Sequence, residues 1–274
     1  MRLRLWHAPD GARVAYREAG TGPPLALLHS LGLSHRELEP LVEHLDHRYR
    51  VVLPDLPLHG DSEDRPRHTY TLDWYADVMS AFLREVCGAN PLAGGHGFGA
   101  EVLLHAALTD RLALEKLVLM PNPLHRPPRR PLSPRGLRAA AVPGLDRALS
   151  HAVHLAVRPE HGPRLSARGN PAARDLFRHA TADVAGNTSL VRSWARFAKA
   201  LPAHANRQVL DGYARLGLPV LLLWADEDRY HPLESAEEAL DLLPHAQLAV
   251  LPRTGFLIAY DDAVGAAREI NAFA

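Results

Sequence analysis

Three apolar runs of this 274-residue sequence are each followed by side chains that can do nucleophilic or acid–base chemistry. His29 and Ser30 follow the first run, and His96 stands in a glycine-rich stretch after the second. Asp228 follows the third. A hydroxyl, an imidazole and a carboxylate in contact can activate a nucleophile. We expect His29 to hydrogen-bond backbone and shape its own loop, which leaves Ser30 without a base and predicts no substitute triad.

Metal chemistry has no support in the pattern of metal-ligating residues. The 17 histidines are scattered, and none shows His–Glu–x–x–His, His–x–His or mixed Cys/His spacing. The single cysteine, Cys87, lies on an apolar helical stretch and is interpreted as a buried, unreactive thiol. We therefore expect no metal site and no other cofactor.

The elements that must position these residues alternate along most of the chain. Short strand-like runs and helical patterns follow one another, which is typical of a mostly parallel sheet flanked by helices. Helices are predicted over 35–45 and 72–86, the second from apolar residues at helical spacing. The alternation is interrupted once. We expect an α/β core formed by residues 1–120 and 217–274, with residues 121–216 inserted as a helical cap.

The charge balance limits the partners that the chain can attract. Lys+Arg and Asp+Glu number 31 each, so no net field draws nucleic acid or an anionic membrane. No segment approaches the roughly 20 apolar residues of a spanning helix, and the N-terminal residues lack the apolar run of a signal peptide. We expect a cytoplasmic protein whose partner is a small-molecule substrate or ligand, with no nucleic acid and no membrane. The oligomeric state is not predicted.

Five local patterns, in chain order, resemble those of the α/β-hydrolase fold superfamily. They are similar to its oxyanion loop, its D-x-x-G-x-G-x-S stretch, its nucleophile elbow G-x-S-x-G, its acid-bearing turn and its histidine loop. The resemblance covers nearly the whole chain and implies an eight-stranded, mostly parallel sheet flanked by helices, with an inserted helical cap. The five patterns lie at residues 27–32, 55–62, 95–100, 224–228 and 251–256.

The departures from the family pattern fall on its catalytic residues. Gly97 stands at the position of the nucleophile and Phe256 at the position of the histidine, while Asp228 stands at the position of the acid. Glycine has no side chain with which to attack, and phenylalanine can neither accept nor donate a proton. We therefore expect no serine-hydrolase chemistry. The backbone N–H groups of Leu31 and Phe98 remain as the expected oxyanion hole, because the fold places them.

Other side chains are expected around this site. The resemblance implies that His96 packs beneath the turn, and that His29, Ser30, His96 and Tyr260 line the pocket. Asp228 is expected to lack an imidazole partner, so that it acts as a general acid or base or caps a loop by accepting backbone N–H bonds. Glu101 is expected to face solvent, since a buried charge would need a partner.

Three functions stay open at this point. The first is a cofactor-free, non-hydrolytic enzyme, of lyase, isomerase or cyclase type, acting on a small, largely apolar substrate that contains a carbonyl group. The second is a catalytically silent relative that binds a small molecule. The third is an active-site mutant of an ester or lactone hydrolase. Replacements of family glycines by Ser30, Leu58 and Ala225 favour natural drift over the third.

Overall fold

A computed structural model describes residues 1–63, 65, 67–126, 147–148, 151–152, 158–200 and 207–274. These residues form an eight-stranded sheet with the strand order β1-β2-β4-β3-β5-β6-β7-β8. The pairs β1·β2 and β2·β4 are antiparallel, and all other neighbouring strands are parallel. The predicted fold class is confirmed. The strands are β1 (Arg2–His7), β2 (Arg13–Ala19), β3 (Pro24–Leu28), β4 (Arg50–Pro54), β5 (Leu92–Gly95), β6 (Lys116–Leu119), β7 (Val220–Ala225) and β8 (Ala246–Leu251).

Helices connect the strands and cover both faces of the sheet. The predicted helix over 72–86 is present and begins after Thr71, whose hydroxyl accepts the Trp74 N–H at 3.2 Å. The helix predicted over 35–45 is shorter, because Pro40 cannot donate a backbone N–H bond, and two 3₁₀ turns precede its single α-helical turn. The helices are α1 (Val42–Leu45), α2 (Leu72–Cys87), α3 (Phe98–Leu108), α4 (Gly162–Leu165), α5 (Ala173–Thr181), α6 (Thr188–Ala200), α7 (Arg207–Tyr213), α8 (Leu233–Leu242) and α9 (Ile258–Phe273).

The core lies on both faces of the sheet because its central strands are largely apolar, and β7 is apolar at every position. In β7, Leu222 and Trp224 pack into the cluster under α2 and α3, while Leu221 and Leu223 pack into the cluster under α1 and α9. Successive side chains of a strand point to opposite faces, so a strand buried on both sides reads as a continuous apolar run. This burial fixes the strand ends from which the loops of the site emerge.

A helical insertion, α4 to α7, follows β6 and precedes β7. Part of it is held to the core by Asp261 of α9, which accepts the backbone N–H groups of Ala167 and Gly255, each at 2.8 Å, and the hydroxyl of Ser166. No described helix is long and apolar enough to cross a bilayer. The division into a core of 1–120 and 217–274 and a cap of 121–216 stays a prediction. Residues 127–146, 149–150, 153–157 and 201–206 of that segment lie outside the described residues.

Candidate functional site

The turn between β5 and α3 has the backbone that a nucleophile elbow needs. Gly97 has φ 50° and ψ −118°, a left-handed conformation that strains residues with a Cβ atom. Gly99, two residues on, packs so closely that a Cβ atom there would lie 2.5 Å from the carbonyl oxygen of Leu28. The backbone geometry of the elbow is therefore present, although Gly97 at its tip has no side chain.

Ser30 occupies the space beside Gly97. A Cβ atom built on Gly97 would lie 2.7 Å from the Cβ of Ser30 and 3.9 Å from its Oγ. Real Cβ atoms essentially never approach another carbon that closely. The side chain of Ser30, on the loop after β3, thus fills part of the room that a residue with a side chain would need at position 97.

Two backbone N–H groups at this place have no acceptor among the described residues. Within the described parts of the chain, the N–H of Leu31 and that of Phe98 have no hydrogen-bond acceptor. The neighbouring N–H of Gly99, by contrast, donates to the carbonyl oxygens of His29 and His96. Leu31 and Phe98 are the two residues whose N–H groups were expected to form the oxyanion hole. A carbonyl oxygen is the kind of acceptor that such a pair holds.

A buried carboxylate, Glu37, lies next to these donors. It accepts the backbone N–H of Ser30 at 2.6 Å, the Ser30 hydroxyl at 2.7 Å and the His96 Nδ1 at 2.8 Å. Glu37 and His96 are each only 1% exposed. Burial by itself would raise the pKa of Glu37, but the His96 charge and these hydrogen bonds outweigh burial and lower it. The carboxylate is therefore ionised at neutral pH.

Asp228, contrary to expectation, has an imidazole partner. Its Oδ2 lies 2.9 Å from Nδ1 of His231, three residues later, and its Oδ1 accepts the N–H of Tyr230 at 2.7 Å. The expectation of an unpartnered carboxyl is wrong because the loop after β7 curls back on itself. When Asp228 accepts from Nδ1–H, the lone pair of the ring is on Nε2. Nε2 of His231 has no hydrogen-bond partner among the described residues.

Phe256 separates the two carboxylate–imidazole pairs. Its ring centroid lies 4.5 Å from that of His96 and 5.6 Å from that of His231, with which it is stacked at 26°. Tyr230 meets the same phenyl ring edge-on at 5.8 Å. An apolar ring thus stands between Glu37–His96 on one side and the His231 ring, held by Asp228, on the other.

The remaining site candidates are less central. His29 bonds backbone on both ring nitrogens, with Nδ1 2.8 Å from the Ser30 oxygen and Nε2 accepting the Leu56 N–H at 2.9 Å, as expected of a loop-shaping residue. Tyr260 packs in the cluster that contains Phe256, but its hydroxyl donates to the Arg36 carbonyl oxygen at 3.0 Å. Burial raises the pKa of the Tyr260 hydroxyl to about 12.

Glu101, one turn into α3, is half-buried instead of solvent-facing. Its side chain has no hydrogen bond or ion pair with any described residue, and burial raises its pKa to about 7. The expectation of solvent exposure is wrong, because the helix packs against α2 and α7. Among the described residues, no group of three or more His, Cys, Asp or Glu could hold a metal ion.

Sequence reasoning missed Glu37 and His231 as members of the site. The sequence did contain a signal for the contact of His231 with Asp228. His231 follows Asp228 by three residues, and an i, i+3 pair can meet in a tight turn. Glu37 had none, because only the fold brings it to His96, 59 residues away.

Comparison with known proteins places this geometry in a family. A family model described as "alpha/beta hydrolase fold" matches residues 23–263. An uncharacterized protein of Mycobacterium tuberculosis is 27% identical over 263 residues, covering 92% of this chain and 75% of that protein. A non-heme haloperoxidase of Rhodococcus erythropolis is 25% identical over 266 residues, covering 89% of each chain. The crystal structure of an alpha/beta hydrolase fold protein from Burkholderia ambifaria has a TM-score of 0.81 at 24% identity, covering 97% of this chain and 96% of that chain.

Proposed function

We propose that this chain, which belongs to the α/β-hydrolase fold family, is a non-hydrolytic enzyme that uses the family's pocket without a covalent step. Gly97 and Phe256 stand where the family has its nucleophile and its histidine, so an acyl-enzyme cannot form at the elbow. The substrate in this proposal is a small, largely apolar molecule with a carbonyl group, and no cofactor takes part. The relative named as a haloperoxidase supports the idea that the fold serves chemistry other than ester hydrolysis.

The observation that carries the proposal is the contact of 2.9 Å between Asp228 and Nδ1 of His231. A carboxylate that holds one nitrogen of an imidazole fixes the orientation and tautomer of the ring and leaves the lone pair on its other nitrogen. Asp228 is therefore the positioning residue of the proposal, and His231 is the group that would meet the substrate. The Leu31 and Phe98 N–H groups supply the acceptor site for the carbonyl oxygen.

The proposed reaction is a proton transfer next to the carbonyl group. Nε2 of His231 takes a proton from the carbon beside the carbonyl, and the electron pair of that C–H bond becomes the C=C bond of an enolate. The enolate oxygen is held by the N–H groups of Leu31 and Phe98. Return of the proton to the opposite face of that carbon, or to another carbon conjugated with the enolate, completes an isomerisation. In an elimination the enolate re-forms the C=O bond, a new C=C bond forms, and the group on the next carbon leaves with its bonding electron pair.

Exchange of hydrogen for deuterium tests this chemistry without knowledge of the natural substrate. Acetophenone, a small apolar methyl ketone, is incubated with the protein in heavy water, and loss of its methyl proton signal is followed by NMR. We expect exchange above the buffer rate, lowered about 100-fold or more in D228N and in H231Q, because general base catalysis contributes on that order. The control is H245Q, the same change at an exposed histidine. Equal exchange in H231Q and wild type refutes the proposal.

The second candidate function is that this protein binds a small molecule without catalysing a reaction. One specific observation favours it. Ser30 lies against Gly97, and Phe256 packs between two histidine rings, so side chains fill the positions of the missing catalytic groups. Under this alternative acetophenone binds, seen by saturation-transfer NMR, but wild type does not exchange its protons. The same close contact opposes the third candidate, a mutated hydrolase, because a native serine at 97 would collide with Ser30.

A further inference from the structure

Glu37 connects the two loops that carry the free N–H groups. Its three hydrogen bonds, at 2.6 to 2.8 Å, go to the N–H and hydroxyl of Ser30 and to the ring of His96. Ser30 immediately precedes Leu31 on the loop after β3, and His96 lies two residues before Phe98 in the elbow. One carboxylate therefore bridges the residue before Leu31 and the residue two positions before Phe98.

Two backbone hydrogen bonds also join the loop after β3 to the elbow. The His96 N–H donates to the Leu28 oxygen at 2.9 Å, and the Gly99 N–H donates to the His29 oxygen at 3.1 Å. Both end before Ser30, and the described residues provide no backbone hydrogen bond from Ser30 or Leu31 to the elbow. Among the described residues, the hydrogen bonds that tie Ser30 to the elbow are therefore those of the Glu37 side chain.

The burial of the cluster makes this bridge rigid. Glu37 and His96 are 1% exposed and Ser30 is 2% exposed, so water cannot replace a lost partner. A buried donor left without its acceptor destabilises the structure, because it has lost its water and gained no partner. Since the lowered pKa keeps Glu37 ionised, both of its oxygens act only as acceptors, which suits the three donors around it.

We propose that Glu37 is a positioning residue that sets the separation between the Leu31 and Phe98 N–H groups, and so the strength with which the site binds a carbonyl oxygen. The second half of this statement rests on the proposed function, in which those two groups bind the carbonyl. The first half concerns the protein without ligand and can be tested alone. Glu37 does not touch the substrate in this proposal and acts only through Ser30 and His96.

The test compares E37Q with E39Q, which removes the same charge from an exposed residue two positions later. In E37Q the side-chain NH₂ group opposes the donors of Ser30, so the loop must move. We expect the amide NMR resonances of Leu31 and Phe98 to shift in E37Q and to stay in place in E39Q. We also expect acetophenone to bind E37Q about tenfold more weakly, as for loss of one good donor. Its isotope-labelled carbonyl resonance should lose the downfield shift that hydrogen bonding causes.

Unchanged Leu31 and Phe98 resonances in folded E37Q would overturn the positioning role, whatever acetophenone does. If E37Q does not fold, S30A carries the test, because it removes only the hydroxyl donor to Glu37. Its amide resonances at Leu31 and Phe98 should then shift in the same direction, and unchanged resonances would again overturn the role. Should wild type leave the carbonyl resonance of acetophenone unshifted, carbonyl binding fails, while the amide resonances still decide the role of Glu37.

Discussion

At the scale of single residues, the site is defined by close packing and hydrogen bonds between neighbouring side chains. Gly97 has no side chain, and Ser30 fills part of the space beside it, with its hydroxyl bonded to Glu37. The ring of Phe256 packs against His96 and His231, and Asp228 holds His231. Each of the positions 97, 228 and 256 is thus in contact with a side chain nearby.

The contact between Ser30 and Gly97 predicts the stability of two variants. G97S places a Cβ atom 2.7 Å from that of Ser30 and puts a side chain on left-handed backbone. We expect it to lower the free energy of unfolding by about 1–3 kcal/mol, the usual cost of overpacking. Adding S30G should recover part of this loss, because it removes the collision but not the backbone strain. Urea denaturation of both variants measures the effect, and a G97S protein as stable as wild type would contradict it.

How far the site could be predicted from the sequence depends on the range of each contact. Gly97 and Phe256 could be located because their motifs are local and keep their order along the chain. The partner of Asp228 was missed, although it lies three residues away, because a tight turn brings His231 back. Glu37 could not be found, since its contact with His96 exists only after β3 and β5 pair.

At the scale of elements, the fold followed from patterns that are physically strong. β7 is apolar at all six positions, and α2 has apolar residues at helical spacing behind a capping Thr71. The helix expected over 35–45 is a single α-helical turn at Val42–Leu45. The proline inside the expected helix cannot donate a backbone hydrogen bond, and this matters more than the apolar spacing. Apolar spacing therefore predicted the long helix α2 well and the proline-containing helix poorly.

The half-buried Glu101 on α3 predicts a pH dependence of stability. Its pKa is about 7 in the folded chain, against 4.5 for the ordinary carboxyl. Because folding favours the neutral form, the unfolded chain releases this proton first as pH rises. Stability is therefore lost between about pH 4.5 and pH 7. We expect E101Q to gain stability relative to wild type when measured at about pH 8 instead of about pH 4.

The matched control for this prediction is E115Q, the same change at an exposed glutamate just after α3. Urea denaturation of wild type, E101Q and E115Q at the two pH values separates the effect of Glu101 from the general titration of surface carboxyls. A difference between wild type and E101Q that stays constant with pH would show that Glu101 titrates normally.

At the scale of the whole molecule, the family fold is intact while its catalytic positions depend on one another. The sheet, the elbow and the two N–H donors are present, and the family model matches residues 23–263. Two of the three positions expected from the family pattern to be catalytic, 97 and 228, however, contact residues that are not among the three. Ser30 limits the size of the residue that position 97 can hold, and the carboxylate of Asp228 is hydrogen-bonded to His231.

This interdependence predicts that esterase activity cannot be introduced at two positions alone. G97S/F256H should hydrolyse p-nitrophenyl acetate only slowly, because Ser30 crowds the new serine and His231 still holds Asp228. S30G/G97S/H231V/F256H should be at least about tenfold faster than the double variant, because the new serine has room and Asp228 is free to hold the new histidine. Equal rates in the two variants would show that Ser30 and His231 do not limit the site.

The Ser30 side chain also limits which single substitutions position 97 can accept. Ser30 occupies the space beside Gly97 and bonds Glu37 at 2.7 Å, so a residue with a Cβ atom at position 97 meets a collision at 2.7 Å. The contact therefore sets an order of substitutions: Ser30 has to change first if position 97 is to carry a side chain without this collision.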